Sequence, residues 1–268
     1  MSVLSDTQIK MDTAFHFFGY LILGLNILAS QFSISHELFH KHGINRYLGI
    51  FHLSKNLYMH FSYEHIYGHH RRVATPEDPA SASKDQCIYW FVPKAYFSSY
   101  RSVFQMEEEA GKPLYLNYSV LSVLCNILFV GLMFGLYGVQ GGVCFLVMAL
   151  GSVCFLEAIN YVEHYGLRRK QDLDGTYEKV TIRHSWNSPH RFSNYFLFKV
   201  QRHSDHHENS LKEYQTLVSM KESPFLPHGY TVCIFMCFFP KTWFKIMNPL
   251  VDAYSALEEN QMINENLH

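Results

Sequence analysis

Histidines fill three of the five positions from His203 to His207, within the stretch QRHSDHHEN. Three other stretches carry histidines at similar spacing: HELFH at 36–40, EHIYGHH at 64–70 and NYVEHYG at 160–166. Together these four clusters hold nine histidines: His36, His40, His65, His69, His70, His164, His203, His206 and His207. Imidazole is a good ligand for iron, copper, zinc and nickel. The clusters therefore predict a metal centre.

The spacing within the clusters suits ligation from helices. His36 and His40 are four residues apart, so their rings face one way in a helix. The other two multi-histidine clusters repeat this four-residue step with one extra ring each. One zinc ion takes about four ligands, and nine histidines are too many for one ion. Two metal ions with four or five nitrogens each fit the count.

An acidic residue directly precedes one histidine in each of three clusters. These residues are Glu64, Glu163 and Asp205. Carboxylates often accept a hydrogen bond from the remote ring N–H of a metal-bound histidine, and this is the role we expect here. The alternative, that they are solvated surface carboxylates, stays open at this stage.

A metalloprotease is the specific competitor, because HELFH matches the HExxH pattern of zinc peptidases. A membrane metalloprotease needs only one further ligand, typically an aspartate on another membrane segment. Such a site would leave seven clustered histidines without a role. The one Asn-Pro pair, Asn248–Pro249, is followed by Leu-Val and not by Asp-Gly. The sequence therefore disfavours a protease.

Composition points to a membrane. The chain has 268 residues, enough for one sizeable domain. Charged residues make up 17% of it, well below the roughly 25% usual in soluble domains. The formal net charge of −1 gives no reason to expect a nucleic-acid partner.

Three apolar segments approach the ~20 residues needed to span a bilayer. They run from Ala14 to about Ser35, from Leu114 to about Gly138, and from Val139 to about Tyr161. The last two form a hairpin that turns at GVQGG. The sequence thus predicts an all-α integral membrane protein with about three transmembrane helices and a helical cap that carries the histidines.

This topology places all nine histidines on one side of the membrane. Lys10 is the only basic residue before the end of the first span, and the hairpin contains none. The other 21 of the 22 lysines and arginines lie on the histidine side. The positive-inside rule makes that side cytoplasmic, or the matrix side in a mitochondrion.

At these residues the sequence resembles the membrane alkane hydroxylases (alkane 1-monooxygenases), within the broader fatty acid desaturase-like superfamily. The resemblance covers roughly residues 14–250. It is carried by HELFHK, EHIYGHHRRVATPEDPAS, NYVEHYGL, SWNSPH followed by LFKVQRHSDHH, and the later EYQTL and ESPFLPHGY. The three histidine boxes are shared by desaturases and hydroxylases, whereas NYVEHYG and the QRHSDHH context are specific to the alkane hydroxylase branch.

The resemblance implies a non-haem centre of two iron ions, with the nine clustered histidines as ligands and no further catalytic residue. The family activates O2 and inserts one oxygen atom at the terminal carbon of an alkane or alkyl chain. Its electrons come from an external carrier of the rubredoxin, ferredoxin or cytochrome b5 type. No four-cysteine rubredoxin-like segment is fused at the C-terminus, so we expect a separate donor.

Family members have further membrane helices ahead of the one that carries HELFH. We therefore expect one desaturase-like domain over residues 1–268 that lacks those first helices. We also expect a partner subunit, a second copy or ordered lipid to cover the face of the first span that holds Phe15, Phe18, Ile22 and Leu25. Two alternatives remain open: an accessory, non-catalytic subunit of a larger membrane complex, and a fatty acyl desaturase.

Overall fold

The computed structural model describes residues 32–190, 194 and 197–265, with side chains to residue 257. Within these ranges the secondary structure is helical throughout, apart from isolated bridges between Gln171 and Tyr177 and between Asn187 and Phe225. The all-helical prediction is therefore confirmed. The first predicted span, except its last residues, lies outside the described residues, as does the face that holds Phe15, Phe18, Ile22 and Leu25. The count of three spans stays a prediction.

Nine α-helical segments, one π-helical turn and three 3₁₀ turns make up the described fold. The α-helices are α1 (residues 32–39), α2 (Ile44–Lys55), α3 (Phe61–Tyr63), α4 (His70–Arg72), α5 (Ile88–Glu109), α6 (Tyr118–His164), α7 (His203–Glu208), α8 (Tyr230–Cys237) and α9 (Pro240–Glu265). The π-helical turn Glu64–His69 joins α3 to α4 without a break. The 3₁₀ turns are Leu114–Leu116, Ile182–His184 and Tyr214–Thr216.

Helix α6 reverses direction in its middle. Gly138 has a φ of 66° and a ψ of −171°, outside the helical region. A Cβ atom placed on Gly142 would lie 2.4 Å from the ring of Phe134, although residues eight apart in a straight helix are roughly 12 Å apart. The two arms of α6, residues 118–137 and 139–164, therefore form a hairpin. The predicted turn at GVQGG matches this position.

Hydrogen bonds from one short segment to both arms support the reversal. The amide N–H of His60 donates to Ser122 Oγ on the first arm over 3.2 Å, and the Tyr58 hydroxyl donates to Glu157 on the second. In a straight helix Ser122 and Glu157 would be roughly 52 Å apart. The start of the first arm and the end of the second therefore lie at the same level, beside residues 57–61.

In the described part of the chain, α6 is the one helix long and apolar enough to cross a membrane. Its apolar side chains face outward along both arms: Leu124, Ile127, Leu128, Leu136, Val143 and Leu150 are all about half exposed or more. Such a surface is expected on a helix that faces lipid. We therefore describe the chain as an integral membrane protein.

The buried core lies at the histidine-bearing end of the hairpin. Its larger part packs Phe91 of α5, Tyr161 of α6, Cys233 of α8 and Trp243 of α9, all fully or almost fully buried. A smaller part joins α1, α2 and α3 to the second arm of α6. These elements hold α1, the π-helical turn, the end of α6 and α7 around one site.

Candidate metal centre

Eight of the nine clustered histidines converge in two sets of four. The first set is His36, His40, His65 and His206, and the second is His69, His164, His203 and His207. Within each set, one ring nitrogen from every residue lies within 4.8 Å of the others. We call these groups set A and set B. Each has the number of nitrogens that one metal ion commonly takes.

The distances between facing nitrogens match those expected around one ion. In set A, His36 Nε2 lies 3.0 Å from His65 Nε2. In set B, His203 Nε2 lies 3.2 Å from His164 Nε2 and 2.9 Å from His207 Nε2. Imidazole binds such ions at about 2.0–2.1 Å, so neighbouring ligands of one ion lie about 3 Å apart. Each set therefore has the dimensions of a metal site.

The ninth histidine, His70, lies between the two sets. Its Nε2 is 3.0 Å from that of His65 in set A. Its ring centroid is 4.8 Å from that of His206 in set A and 4.6 Å from that of His207 in set B. His70 can therefore complete either set as a fifth nitrogen donor.

Histidines from one sequence cluster can belong to different sets. The sequence spacing had indicated that His65 and His69 point the same way, but His65 belongs to set A and His69 to set B. The physical reason is the π-helical turn Glu64–His69, in which hydrogen bonds run from i to i+5 instead of i+4. Helix α7 also serves both sets, since His206 faces set A while His203 and His207 face set B.

Two ring nitrogens of set A have no hydrogen-bond partner among the protein atoms. Nε2 of His40 and Nε2 of His206 are buried and have no hydrogen-bond partner among the described residues. A buried polar atom without a partner costs about 1–3 kcal/mol. Both atoms belong to residues of set A, where a bound cation would satisfy them. The donor set therefore fits a metal ion.

Burial keeps most of the rings neutral and ready to bind. It lowers the pKa of His36 to about 3, assisted by the charge of His69. Burial also lowers the pKa of His65, His206 and His207 well below 6.5, with neighbouring histidines adding to the effect. A neutral imidazole offers its lone pair to a metal, whereas an imidazolium does not.

Asp78 contacts a histidine of set B, and sequence reasoning missed it. Its buried Oδ2 lies 2.9 Å from His69 Nδ1 and also accepts from Ser81 Oγ over 2.6 Å. Burial lowers the pKa of His69, but the carboxylates around the ring, Asp78 first and then Glu64 and Glu157, together outweigh burial and raise the pKa overall. Asp78 thus orients the ring of His69 so that Nε2 points into set B.

The backbone orients His164 in a similar way. His164 Nδ1 donates to the carbonyl oxygen of His184 over 3.3 Å. His184 is buried, and its own Nδ1 accepts from the amide of Thr181 over 3.0 Å. His184, which has no ligand spacing in the sequence, thus contacts the site through its carbonyl group.

Two of the three acids expected to hydrogen-bond histidine rings have other partners. Glu64 accepts from Arg72 over 2.7 Å and from Ser102 over 3.1 Å. Asp205 accepts from Lys212 Nζ over 2.7 Å and from the amide of Val218 over 2.7 Å. Both are buried carboxylates paired with cations, an arrangement that offsets the cost of burying them.

Glu163 lies on the inner side of the site. Its Oε2 is 3.3 Å from His203 Nε2, the nitrogen that faces set B, and the Tyr230 hydroxyl donates to its other oxygen. Glu163 and Asn160 line a cavity that reaches His36 and His65 of set A as well as His203 of set B. The carboxylate therefore faces the space beside the metal-facing nitrogens.

The rest of the same cavity is apolar. Its walls include Phe32, Phe61, Leu156, Ile159 and Val200. Four of these side chains are at most 7% exposed, so the wall is well shielded. The cavity has a volume of about 20 Å³, which is room for one or two groups the size of a water molecule. It can therefore take only the end of an uncharged chain, beside residues of both sets.

Comparison with known proteins identifies relatives over most of the chain. The family model described as fatty acid desaturase matches residues 12–235. Alkane 1-monooxygenase 2 of Alcanivorax borkumensis is 39% identical over 243 residues, which cover 87% of this chain and 63% of that protein. Alkane 1-monooxygenase 1 of Pseudomonas aeruginosa is 38% identical over 253 residues, covering 91% of this chain and 66% of the relative.

A more distant relative is named for a different substrate. The xylene/toluene monooxygenase hydroxylase component of Pseudomonas putida is 27% identical over 228 residues, covering 80% of this chain and 58% of that protein. The chain thus spans about 58–66% of the length of these three relatives.

Proposed function

Since this chain belongs to the fatty acid desaturase family, we propose that it is a non-haem di-iron membrane monooxygenase. It inserts one oxygen atom from O2 into the terminal carbon of an alkane or alkyl chain. The observation that carries this proposal is the pair of four-imidazole sets at the end of an apolar cavity. The identity to alkane 1-monooxygenases supports the choice of reaction.

Set A and set B would each hold one iron ion, with His70 as the ninth ligand. When bound, the irons supply the electron transfer and dioxygen activation that no amino-acid side chain provides. The reaction consumes one O2, two electrons and two protons, and it yields the primary alcohol and water. A separate carrier of the rubredoxin, ferredoxin or cytochrome b5 type delivers the electrons.

The chain's own residues prepare the substrate and protect the site. Phe61, Leu156 and Ile159 contact the end of an alkyl chain in the cavity and exclude water from it. Asp78 and the His184 carbonyl hold the rings of His69 and His164, while Glu64 and Asp205 brace the segments around the ligands. Glu163 is the group placed to hold a proton beside His203.

The histidine end of the hairpin faces the cytoplasm in this proposal, or the matrix in a mitochondrion. The basic residues carry the argument, because 21 of 22 lysines and arginines fall in the stretches on that side. An electron carrier would then approach from the same compartment. On the membrane side, a partner subunit, second copy or ordered lipid would cover the first span.

A labelled-oxygen assay tests this function. The iron-loaded protein in liposomes, supplied with rubredoxin and its reductase, is incubated with n-alkanes of graded length under ¹⁸O₂. We expect 1-alkanols that carry one ¹⁸O atom, measured by gas chromatography and mass spectrometry. An alkene without label would identify a desaturase instead. Iron-loaded chains that reduce O2 but yield no product with any alkyl substrate would favour the accessory subunit.

Replacing Asp78 with asparagine should weaken metal binding at set B. Asparagine keeps the shape but removes the charge that holds His69, and loss of such a partner typically costs 10–100-fold in metal affinity or activity. Metal titration of the chelator-treated protein gives the affinity. Asp174→Asn, at a fully exposed loop position, is the matched control. Unchanged binding by Asp78→Asn would show that the carboxylate does not support the site.

Replacing Leu156 with phenylalanine should lower hydroxylation of alkanes of every length. Leu156 is 7% exposed and lines the small apolar cavity beside the histidines, so a larger ring takes the space of the reacting chain end. We expect kcat/KM to fall at least about tenfold at each chain length, the scale at which hydrophobic pockets discriminate. Leu150→Phe, on the outward face of the same arm, should leave kcat/KM unchanged. Equal kcat/KM in the two variants would contradict the cavity assignment.

A further inference from the structure

A second apolar groove lies away from the histidines, between α5 and the first arm of α6. Its floor and walls include Tyr96, Tyr100 and Phe104 from α5 and Val123 and Ile127 from α6. Most of its lining surface is apolar. The established relatives and the reaction proposed above assign no role to this groove.

The groove opens onto the lipid-facing surface of the hairpin. Val123 and Ile127, which line it, are 44% and 64% exposed, and Leu124 and Leu128 continue the same outward surface. In a membrane, hydrocarbon already contacts these side chains. The acyl chain of a neighbouring lipid can therefore enter the groove without crossing water.

Arg101 marks the polar end of the groove. It lines the apolar groove and also a polar cavity on the other side of α5, where Arg72 and Lys94 are further cations and Glu77 and Asp78 are the acids. Arg101 is exposed, and in the part of the chain with described side chains it has no ion-pair partner. An arginine at the boundary of apolar and polar surfaces suits a phosphate group.

The outer edge of α5 has the composition of a membrane interface. Trp90 and Phe97 are 77% and 68% exposed, and Lys94 lies between them on the same side of the helix. Tryptophan and basic side chains are enriched at the level of lipid headgroups. This composition is the one expected of a helix at the level where the hydrocarbon layer meets water, which would put Arg101 at phosphate depth.

We propose that the groove between α5 and the first arm of α6 binds a glycerophospholipid, with one acyl chain against Tyr100, Phe104 and Ile127 and the phosphate on Arg101. Anionic lipid binds more tightly than zwitterionic lipid, because no headgroup ammonium competes with the arginine. This site does not depend on the proposed reaction, and a failure of either leaves the other standing.

Lipid binding to groove variants tests the proposal. The iron-loaded protein is purified in detergent, mixed with phosphatidylglycerol or phosphatidylcholine, and analysed by native mass spectrometry. Ile127→Trp fills the groove and should reduce bound phosphatidylglycerol at least fivefold. Leu128→Trp is the matched control, since Leu128 is 70% exposed on the same arm but does not line the groove. It should bind as wild type does.

Arg101→Gln tests the phosphate contact separately. It should lower the preference for phosphatidylglycerol over phosphatidylcholine about fivefold, since one basic residue near a membrane surface contributes about that factor. Iron content identifies any variant that fails to fold. Equal lipid binding by Ile127→Trp, Leu128→Trp and wild type, or capture of the N-terminal residues of the chain in the groove by cross-linking, would overturn the proposal.

The fluorescence of Trp90 measures how deep α5 lies in the membrane, and this test needs no change in the groove. The other two tryptophans, Trp186 and Trp243, are at most 2% exposed. A quencher that must touch the indole ring therefore acts mainly on Trp90. In liposomes its fluorescence should be quenched by phosphatidylcholine brominated near the headgroup, and Trp90→Phe should remove that quenching. Quenching of Trp90 by aqueous iodide but not by brominated lipid would place α5 in water and refute the lipid site.

Discussion

His164→Ala is expected to abolish hydroxylation, with a loss of at least about a thousandfold, while the chain still inserts into the membrane. His164 is one of four rings in set B and the only histidine of its stretch, so no histidine from the same stretch can replace it. It is fully buried at the end of α6. Loss of one of four ligands leaves the second ion incompletely bound.

Activity and iron content measured on the same preparation test this prediction. Iron should fall from two ions per chain to one or fewer, and membrane extraction should match wild type. His164→Gln, which keeps a polar side chain of similar length, should show the same losses and separates ligation from packing. His228→Ala, at an exposed position, should keep full activity. Normal hydroxylation and iron content in His164→Ala would assign NYVEHYG a structural role.

The metal-free protein is expected to lose most of its stability between pH 7.5 and pH 5.5. Burial lowers the pKa of seven histidines outside the membrane-spanning arms: His36, His40, His65, His70, His203, His206 and His207. A group with a depressed folded pKa stabilises the fold above its unfolded value of 6.5. That stability is lost as pH falls toward the folded value.

The expected size follows from the linkage. One pH unit below 6.5, each such histidine costs about 1.4 kcal/mol. Seven give an upper limit of about 10 kcal/mol, comparable to the whole stability of a typical domain. His69 acts in the opposite direction, because the carboxylates around it, Asp78 first, raise its pKa overall, and its contribution is largest at low pH. The sum remains strongly unfavourable at acidic pH.

The prediction is tested by measuring the Tm of chelator-treated and iron-loaded protein at pH 7.5 and at pH 5.5. The chelated sample should show a large drop in Tm at pH 5.5, whereas bound metal keeps the ligands deprotonated and should reduce the drop. A metal-free protein with the same Tm at pH 7.5 and pH 5.5 would show that the rings are hydrated instead of buried.

Much of the fold could be predicted from local sequence. The two apolar runs on either side of GVQGG indicated the hairpin, and Gly138 supplies its turn because a positive φ is readily adopted by glycine. The histidine spacing indicated helical ligand segments. The structure brings the nine rings together, as the one-sided topology had indicated.

The division into two sets could not be predicted in the same way. It depends on a π-helical turn at Glu64–His69, and no local residue pattern distinguishes such a turn from an α-helix. Asp78 was missed for a related reason. It lies among prolines in a loop with no histidine beside it, and only the folded chain brings it to His69.

The sharing of segments between the two sets has a consequence for how the ions are loaded. The π-helical turn and α7 each donate to both sets, so an ion bound at one set fixes backbone that the other set also needs. The ordering entropy of those segments is then lost once instead of twice, which makes the second ion bind more tightly than the first. Loading should therefore be cooperative: a partly supplied population would consist mainly of empty and fully loaded chains, with few that hold one iron.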